Sequence, residues 1–421
     1  MGRTSVDFTV MSYNILAQDL LDLHPYLYTY CPLELRDWGY RCSLLLQEIQ
    51  KCQPDILCLQ EVQENHYEQQ LQPALSLMGY TCVFKRRTGP KPDGCATCYR
   101  GSRFVCAATT QLEYFRPETG LLDRHNVGVV LLLRPLVDQG ARLTERGPPL
   151  CVANTHLLFS PRRGDVKLAQ LAILLAEIDR VVKSCRSSGE HCNVVLCGDL
   201  NAVPDTPLCR LITAGSLFYR GLPSWMVSGQ ENLSHQAHCH RLPAPLWPST
   251  LGISSSCQYV TAKKEPERPK AGELQYDHDF MLSLCFSPAA CVRPGGLELI
   301  PGVTDCSPDP SRGNQTYEER FGNTISHRLH LESVYKHAPR SRNPLVTTLH
   351  SATGAVVDHI FYSPKRAAGR GGSAPRGLKL TGFLPLLSED ALWAINGLPN
   401  HGFPSDHLSL MARFQLDLDT V

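Results

Sequence analysis

The chain reads as short apolar runs of strand length, several closed by an amide, an acid or a histidine. VDFTVMSYNIL begins at Val6 and holds Asn14, and the run from Ile56 to Leu59 leads into Glu61. The run 150–154 ends in Asn154 and His156, and 193–197 is followed by Asp199 and Asn201. Asp358 lies in the run 356–362, and Asp406 and His407 stand before the last run, 408–414. Two further strand-like runs occupy 104–109 and 127–133. Helical spacing intervenes: Leu35, Trp38, Cys42, Leu45, Leu46 and Ile49 recur on one face before Pro54-Asp55 interrupts. A second helix is expected over 166–182 with Asp165 near its start, and a third opens at Thr206-Pro207, a cap followed by a first-turn proline. The alternation predicts a mixed α/β fold without internal repeats. Strands gathered into a sheet put their ends on a common edge, so residues far apart in sequence can converge there.

From about 223 to 344 the pattern weakens. KKEPERPK at 263–270 and SPDPSRGNQ at 307–315 are polar and proline-bearing, and histidines cluster between His235 and His240. This predicts a long insertion with flexible stretches inside a single catalytic domain spanning 1–421. PKRAAGRGGSAPRG at 364–377 reads as a mobile, solvated linker, basic enough to touch phosphate.

Composition narrows the class. With 421 residues, 43% hydrophobic, the chain can bury a sizeable core. Its 41 Lys and Arg balance 40 Asp and Glu, so any nucleic-acid footprint must be local. Of 18 cysteines, many lie inside apolar runs, as Cys58, Cys151 and Cys197 do, and read as reduced small hydrophobes. Cys95 and Cys98 lack the second pair that a zinc site needs and read as structural. No apolar stretch approaches membrane-spanning length, and the early strand leaves no room for a secretory signal, which predicts a cytoplasmic or nuclear protein. Val6 stands where a myristoylation start needs Ser or Thr. A strand so near residue 1 predicts an extension preceding it.

In Cys197-Gly198-Asp199-Leu200-Asn201 a glycine breaks the strand, and the acid and amide two apart are expected to share one side in extended geometry. Asp199 can orient an attacking water and Asn201 can donate to a phosphoryl oxygen, although an Asx turn explains the same residues. Asn154 and His156 share that spacing. Glu61 is either a metal ligand placed by its strand or an acid at a helix N-terminus. Either Asp406 or Asp358, bonded to His407, can fix its tautomer, which leaves the other aspartate to serve metal. Lys85-Arg86-Arg87 with Lys91, and Arg162-Arg163 with Lys167, could hold an RNA backbone or be solvated charge.

SYN, LQE, NTH, GDLN and SDH, in this order, resemble the endonuclease/exonuclease/phosphatase superfamily. KPDGCA at 91–96 and GDLNAVP at 198–204 resemble its RNA-acting, deadenylase-like branch. Within that branch RTGPKPDGCA, LLDRHNVGVVLLL, SPRRGDVKLAQLA and LWAINGLPN are most similar to the Angel proteins. The resemblance implies a DNase I-like α/β fold, a two-layer sandwich of mixed β-sheets flanked by helices. It also implies Mg2+, or Mn2+ in its place, with Glu61 as principal ligand assisted by Asn14 and Asp406. Asp199 then orients water, Asn201 and His156 contact phosphate, and His407 is general acid/base or transition-state stabiliser, partnered by Asp358.

Two positions depart from the family. His359 replaces a common tyrosine, and Thr353 stands where poly(A)-specific members carry a phenylalanine. A stacked base contributes about 1–3 kcal/mol, so Thr353 weakens a poly(A) reading. The implied activity is hydrolysis of a 2',3'-cyclic phosphate at an RNA 3' end, with translation or mRNA-decay factors as further partners. A 3'-5' exoribonuclease or deadenylase is the nearest alternative, and an RNA- or translation-factor-binding scaffold is the non-enzymatic one. Lipid and inositol phosphatases of this fold carry a tryptophan and arginine motif that VVDHIFY lacks.

Overall fold

The computed structural model describes residues 5–138, 143–229, 240–260, 322–336, 343–350, 353–365 and 377–418. The early strands are β1 (Ser5–Asn14), β2 (Ile56–Gln63), β3 (Tyr80–Arg86), β4 (Asp93–Arg100), β5 (Phe104–Glu113), β6 (Val127–Asp138) and β7 (Leu143–Glu145). They are followed by β8 (Leu150–His156), β9 (Asn193–Asp199), β10 (Glu332–Ser333), β11 (Asp358–Tyr362), β12 (Lys379–Phe383) and β13 (Leu410–Asp417). One sheet runs β12-β13-β1-β2-β4-β3 and the other β10-β11-β9-β8-β6-β5, with β7 added to β6. The main helices are α1 (Gln18–Leu23), α2 (Trp38–Cys52), α3 (Gln72–Leu77), α4 (Gly164–Ser187) and α5 (Pro207–Ala214).

The two sheets face each other. Phe8, Val10, Ile56 and Cys58 of one meet Val129, Leu131, Val152, Val195, Cys197 and Ile360 of the other. Alternate residues point outward: Met11, Tyr13, Leu57 and Leu59 join Trp38, Cys42, Leu45 and Ile49 of α2. On the opposite side Cys151, Ala153, Val194 and Leu196 join Leu168, Leu171 and Leu175 of α4. Both faces of each central strand are thus covered, which is why they read as nearly unbroken apolar runs. The expected sandwich of mixed sheets with helices outside is the fold observed.

Local signals explain the element ends. The helical face expected from Leu35 breaks at Asp37, whose carboxylate accepts from Gly39 N and Tyr40 N at 2.9 and 3.3 Å and so starts α2. α2 stops at Gln53, in the left-handed region at φ 46°. α4 outruns the expected 166–182, with Asp165 in its first turn. Thr206 occupies the cap position of α5, but its hydroxyl donates to Val203 O at 2.7 Å instead of capping the helix.

Cys58, Cys151 and Cys197 are buried free thiols. Cys98, read as structural, bonds Cys82 and not its motif neighbour Cys95: register makes Cys82 and Cys98 direct neighbours across β3 and β4, 4.0 Å apart at Cα, and they are disulfide-bonded. In the stretch expected as an insertion, Leu242, Leu246, Trp247, Ile253 and Cys257 pack into the cluster around α4. The polar stretches 263–270 and 307–315, His235 with its neighbours to 239, and 366–376 of the basic linker lie outside the described residues. Among the described residues no helix is long and apolar enough to cross a membrane.

Gly198 is indispensable to the pairing of β8 with β9. It adopts φ +141°, and a Cβ there would lie 1.9 Å from Thr155 O on the neighbouring strand. Gly198→Ala is expected to destabilise the protein by about 3 kcal/mol, through both strain and strand separation, seen as a lower urea midpoint.

Candidate active site

Topology brings the strand ends together. β1 and β2 are parallel, as are β8 and β9, so Asn14, Glu61, His156 and Asp199 emerge at the same edge. β11 runs against β9 with Asp358 opposite Asp199. β13 runs against β1 with Leu410 opposite Ser12, which sets the preceding Asp406 and His407 beside Asn14.

Three residues at this edge use the left-handed region: Leu16 at φ 58°, Glu61 at 54° and Asn201 at 48°. Each costs backbone energy that the surroundings must offset, a pattern concentrated at functional sites. Glu61 lies where the β2–β4 register shifts between Leu59 and Val62, so a strand bulge aims its carboxylate, not a helix N-terminus. The carboxylate accepts from Asn14 Nδ2 at 3.0 Å and from Ala17 N at 3.1 Å. Leu16 N donates to Asn14 Oδ1 at 3.1 Å. The expected extended geometry from Asp199 to Asn201 is not found. The chain turns, Asn201 N donates to Asp199 Oδ1 at 2.9 Å, and the Asx turn itself delivers the amide to the site. Asn201 Nδ2 then reaches Leu157 O and His156 Nε2, both at 3.1 Å.

Asp199 sits at the centre. Asn14 Nδ2 donates to its Oδ2 at 3.1 Å, and His156 Nε2 and His407 Nε2 lie 3.5 and 3.9 Å from the same oxygen. Burial and the nearby Asp358 push its pKa up to about 6. Burial also raises Glu61 and lowers His156. Burial alone would lower His407, but Asp358, with Nδ1 to Oδ2 at 2.8 Å, and Asp406 outweigh it and hold the imidazolium well above its usual range. Asp406 in turn accepts from Tyr28 Oη at 2.8 Å, and its Oδ1 lies 3.9 Å from His407 Nε2. Ser405 Oγ donates to Asn14 O at 2.7 Å, joining the segment after β1 to the segment before β13.

The other candidates fall elsewhere. Asn154 is absorbed between the sheets, where its Nδ2 bonds Leu59 O and Ala96 O at 3.1 and 3.0 Å. Lys167 offers no surface charge: it is fully buried, and its Nζ donates to Asn201 O at 2.6 Å. Arg87 pairs with buried Asp93, Lys85 with Glu113, Arg86 with Glu64 and Arg163 with Asp165. His359 packs inward, its Nε2 2.7 Å from Ala202 O. The side chain of Thr353 lies outside the described residues. Sequence reasoning missed Tyr28, Arg41 and the buried role of Lys167. Only Lys167 carried a signal, a lone lysine within the apolar face of an expected helix.

The donor set suits a hard divalent cation. One ligand atom each from Glu61, His156 and Asp199 lie within 4.8 Å of one another, as do those of Asp199, Asp358 and His407. Carboxylates and an amide are the oxygen donors that Mg2+ or Mn2+ takes. Burial presses Glu61 and Asp199 toward their neutral forms, and a cation beside them would offset that pressure.

Two facing mixed sheets with this cluster at one edge define the endonuclease/exonuclease/phosphatase class. Residues 11–407 match the Endonuclease/Exonuclease/phosphatase family, and the chain belongs to it. More particularly, it is 51% identical over 98% of its length to Protein angel homolog 1 of Rattus norvegicus. It is 43% identical over 99% to Protein angel homolog 2 of Homo sapiens. It spans 63% of the first of these relatives and 71% of the second. The crystal structure of ANGEL2, a 2',3'-cyclic phosphatase, in complex with adenosine-2',3'-vanadate matches with TM-score 0.76 and 40% identity, covering 99% of this chain and 98% of that one.

Lys167 gives a pH-dependent signature. Burial lowers its pKa from 10.5 to about 7, so between these values the unfolded chain binds more protons than the folded one. Its contribution to stability therefore rises with pH through that window, and below pH 7 the cost of burying the charge is felt in full. The difference in unfolding free energy between the wild type and Lys167→Met should grow in favour of the wild type from pH 7 to 9, measured by urea titration.

Proposed function

We propose that this protein is a divalent-metal-dependent RNA phosphoesterase that hydrolyses 2',3'-cyclic phosphate at RNA 3' ends. The observation that carries the reading is the position of Asp199, whose Oδ2 lies 3.5 Å from His156 and 3.9 Å from a histidine kept charged by Asp358. The likeness over nearly the whole chain to ANGEL2, a 2',3'-cyclic phosphatase, supports the choice of substrate.

Glu61, Asn14 and Asp406 would hold the cation, which supplies charge stabilisation at the phosphoryl oxygens. Asp199 orients the attacking water and accepts its proton, for which a raised pKa is an advantage. Asn201 Nδ2 and His156 position the phosphoryl group, and Asn14 steadies Asp199. The His407 imidazolium, fixed through Nδ1 by Asp358, stabilises charge as the phosphorane forms. One water opens the ring to a terminal phosphomonoester. A second water releases inorganic phosphate and leaves 2'- and 3'-hydroxyls.

Matched RNAs ending in cyclic phosphate, in free hydroxyls or in poly(A) test the assignment. The expected result is phosphate release from the cyclic end without shortening, abolished by EDTA and restored by Mg2+ or Mn2+. Shortening of the hydroxyl-ended RNA with no preference for cyclic ends would instead establish an exoribonuclease. Asp199→Asn and His407→Ala should each lower kcat by about 100-fold or more while the fold, followed by circular dichroism, is retained.

A further inference from the structure

Arg41 is a buried cation with no carboxylate partner. It lies in α2, is 1% exposed, and among the described residues no acidic group comes within ion-pair distance of its guanidinium. Among the described residues all its bonds go to neutral oxygens. Nη1 donates to Ile15 O and to Pro404 O, both at 3.1 Å; Nη2 donates to Leu16 O at 2.9 Å and Gln18 Oε1 at 2.8 Å; Nε donates to Arg36 O at 3.2 Å. The plane lies over Trp38, with Cζ 5.3 Å from the ring centroid.

These acceptors belong to two loops that matter to the site. Ile15 and Leu16 directly follow Asn14, and Leu16 is the left-handed residue whose N–H holds the Asn14 side chain. Ala17, next in line, donates to Glu61. Pro404 directly precedes Ser405, Asp406 and His407. A single rigid fork thus sets the separation of the Asn14/Glu61 side from the Asp406/His407 side. Its charge is also felt at both acids, Asp406 and Glu61 being among the groups that attract it. A planar guanidinium can serve several carbonyls at fixed angles, which an ammonium cannot.

We propose that Arg41 is a positioning residue for the cation site, presetting the two loops so that Glu61, Asn14 and Asp406 meet the metal without rearrangement. The proposal rests on the reading of those three residues as metal ligands. Groups supporting metal ligands from behind typically change affinity or activity by about 10–100-fold when lost.

The test measures Mn2+ binding to the full chain by electron paramagnetic resonance and isothermal titration, alongside release of cyclic phosphate from RNA. Arg41→Lys keeps the charge and loses the fork; Gln18→Leu, at a half-buried position, removes one acceptor and is the milder variant. Arg41→Lys is expected to weaken Mn2+ binding by about tenfold and to lower kcat at saturating metal, with KM for RNA little changed, and Gln18→Leu to shift both in the same direction. Melting temperature and near-ultraviolet dichroism establish that the variants are folded; if Arg41→Lys does not fold, Gln18→Leu carries the comparison. Mn2+ affinity and kcat unchanged in whichever variants fold, with only the melting temperature lowered, would overturn the proposal and leave Arg41 a purely structural residue. If Glu61→Gln leaves Mn2+ binding intact, the reading of the ligands fails first, and the positioning role falls with it.

Discussion

Asn154 fastens the two sheets to each other, and the geometry of the site depends on that fastening. Its side chain crosses the apolar gap to bond Leu59 O and Ala96 O, while its Oδ1 accepts from Gln60 Nε2 at 2.8 Å. A buried amide left unsatisfied in such a place costs about 1–3 kcal/mol, whereas a fully bonded one admits a single relative placement of the sheets. Gln60 immediately precedes Glu61, and Asn154 lies two residues before His156. Apolar packing alone would tolerate a slip of one sheet over the other; this amide does not. The distance between the Glu61 and His156 sides is therefore set a residue or two behind the cluster, inside the core.

Within that frame, burial drives the ionisable groups apart. His156 loses affinity for its proton, Asp199 and Glu61 gain it, and His407 keeps its charge because Asp358 touches it and Asp406 stands near. Two histidines on either side of one carboxylate are thus unequal, one suited to bonding as a neutral ring and the other to opposing negative charge. The same crowding accounts for the backbone. Glu61, Leu16 and Asn201 turn left-handed because straight strands would carry their polar groups past one another instead of toward a common point.

Much of this was legible in the residue pattern. Apolar runs of strand length and helical spacing marked β1, β2, β8, β9, α2 and α4, and the ordered motifs identified the family and its sandwich. The reading failed where tertiary contacts decide. Spacing suggested that Asp199 and Asn201 share one side of a strand, but a two-residue interval does not distinguish extended chain from an Asx turn. Asn154 resembled its neighbour His156 in type and position, yet only the approach of the second sheet assigns it to the core. Lys167 looked like surface charge because Asn201 O, which accepts from it, is 34 positions away. The disulfide partners Cys82 and Cys98 are 16 positions apart, and only the register of β3 on β4 pairs them.

The placement of β13 between β12 and β1 bears on how such a protein matures. β1 finds β13, one of its two sheet partners, only when nearly the whole described chain has been synthesised, and until then that edge is open. Ser405 reaches Asn14 across 391 positions and Asn14 reaches Asp199 across 185, so no short contiguous portion of the chain contains the site in outline. Long-range closure of this kind is slow and comes late. A nascent or truncated chain can hold much of the hydrophobic core and still possess no acid–histidine cluster. Assembly of that cluster is thereby tied to the synthesis of β13, which closes the sheet on β1.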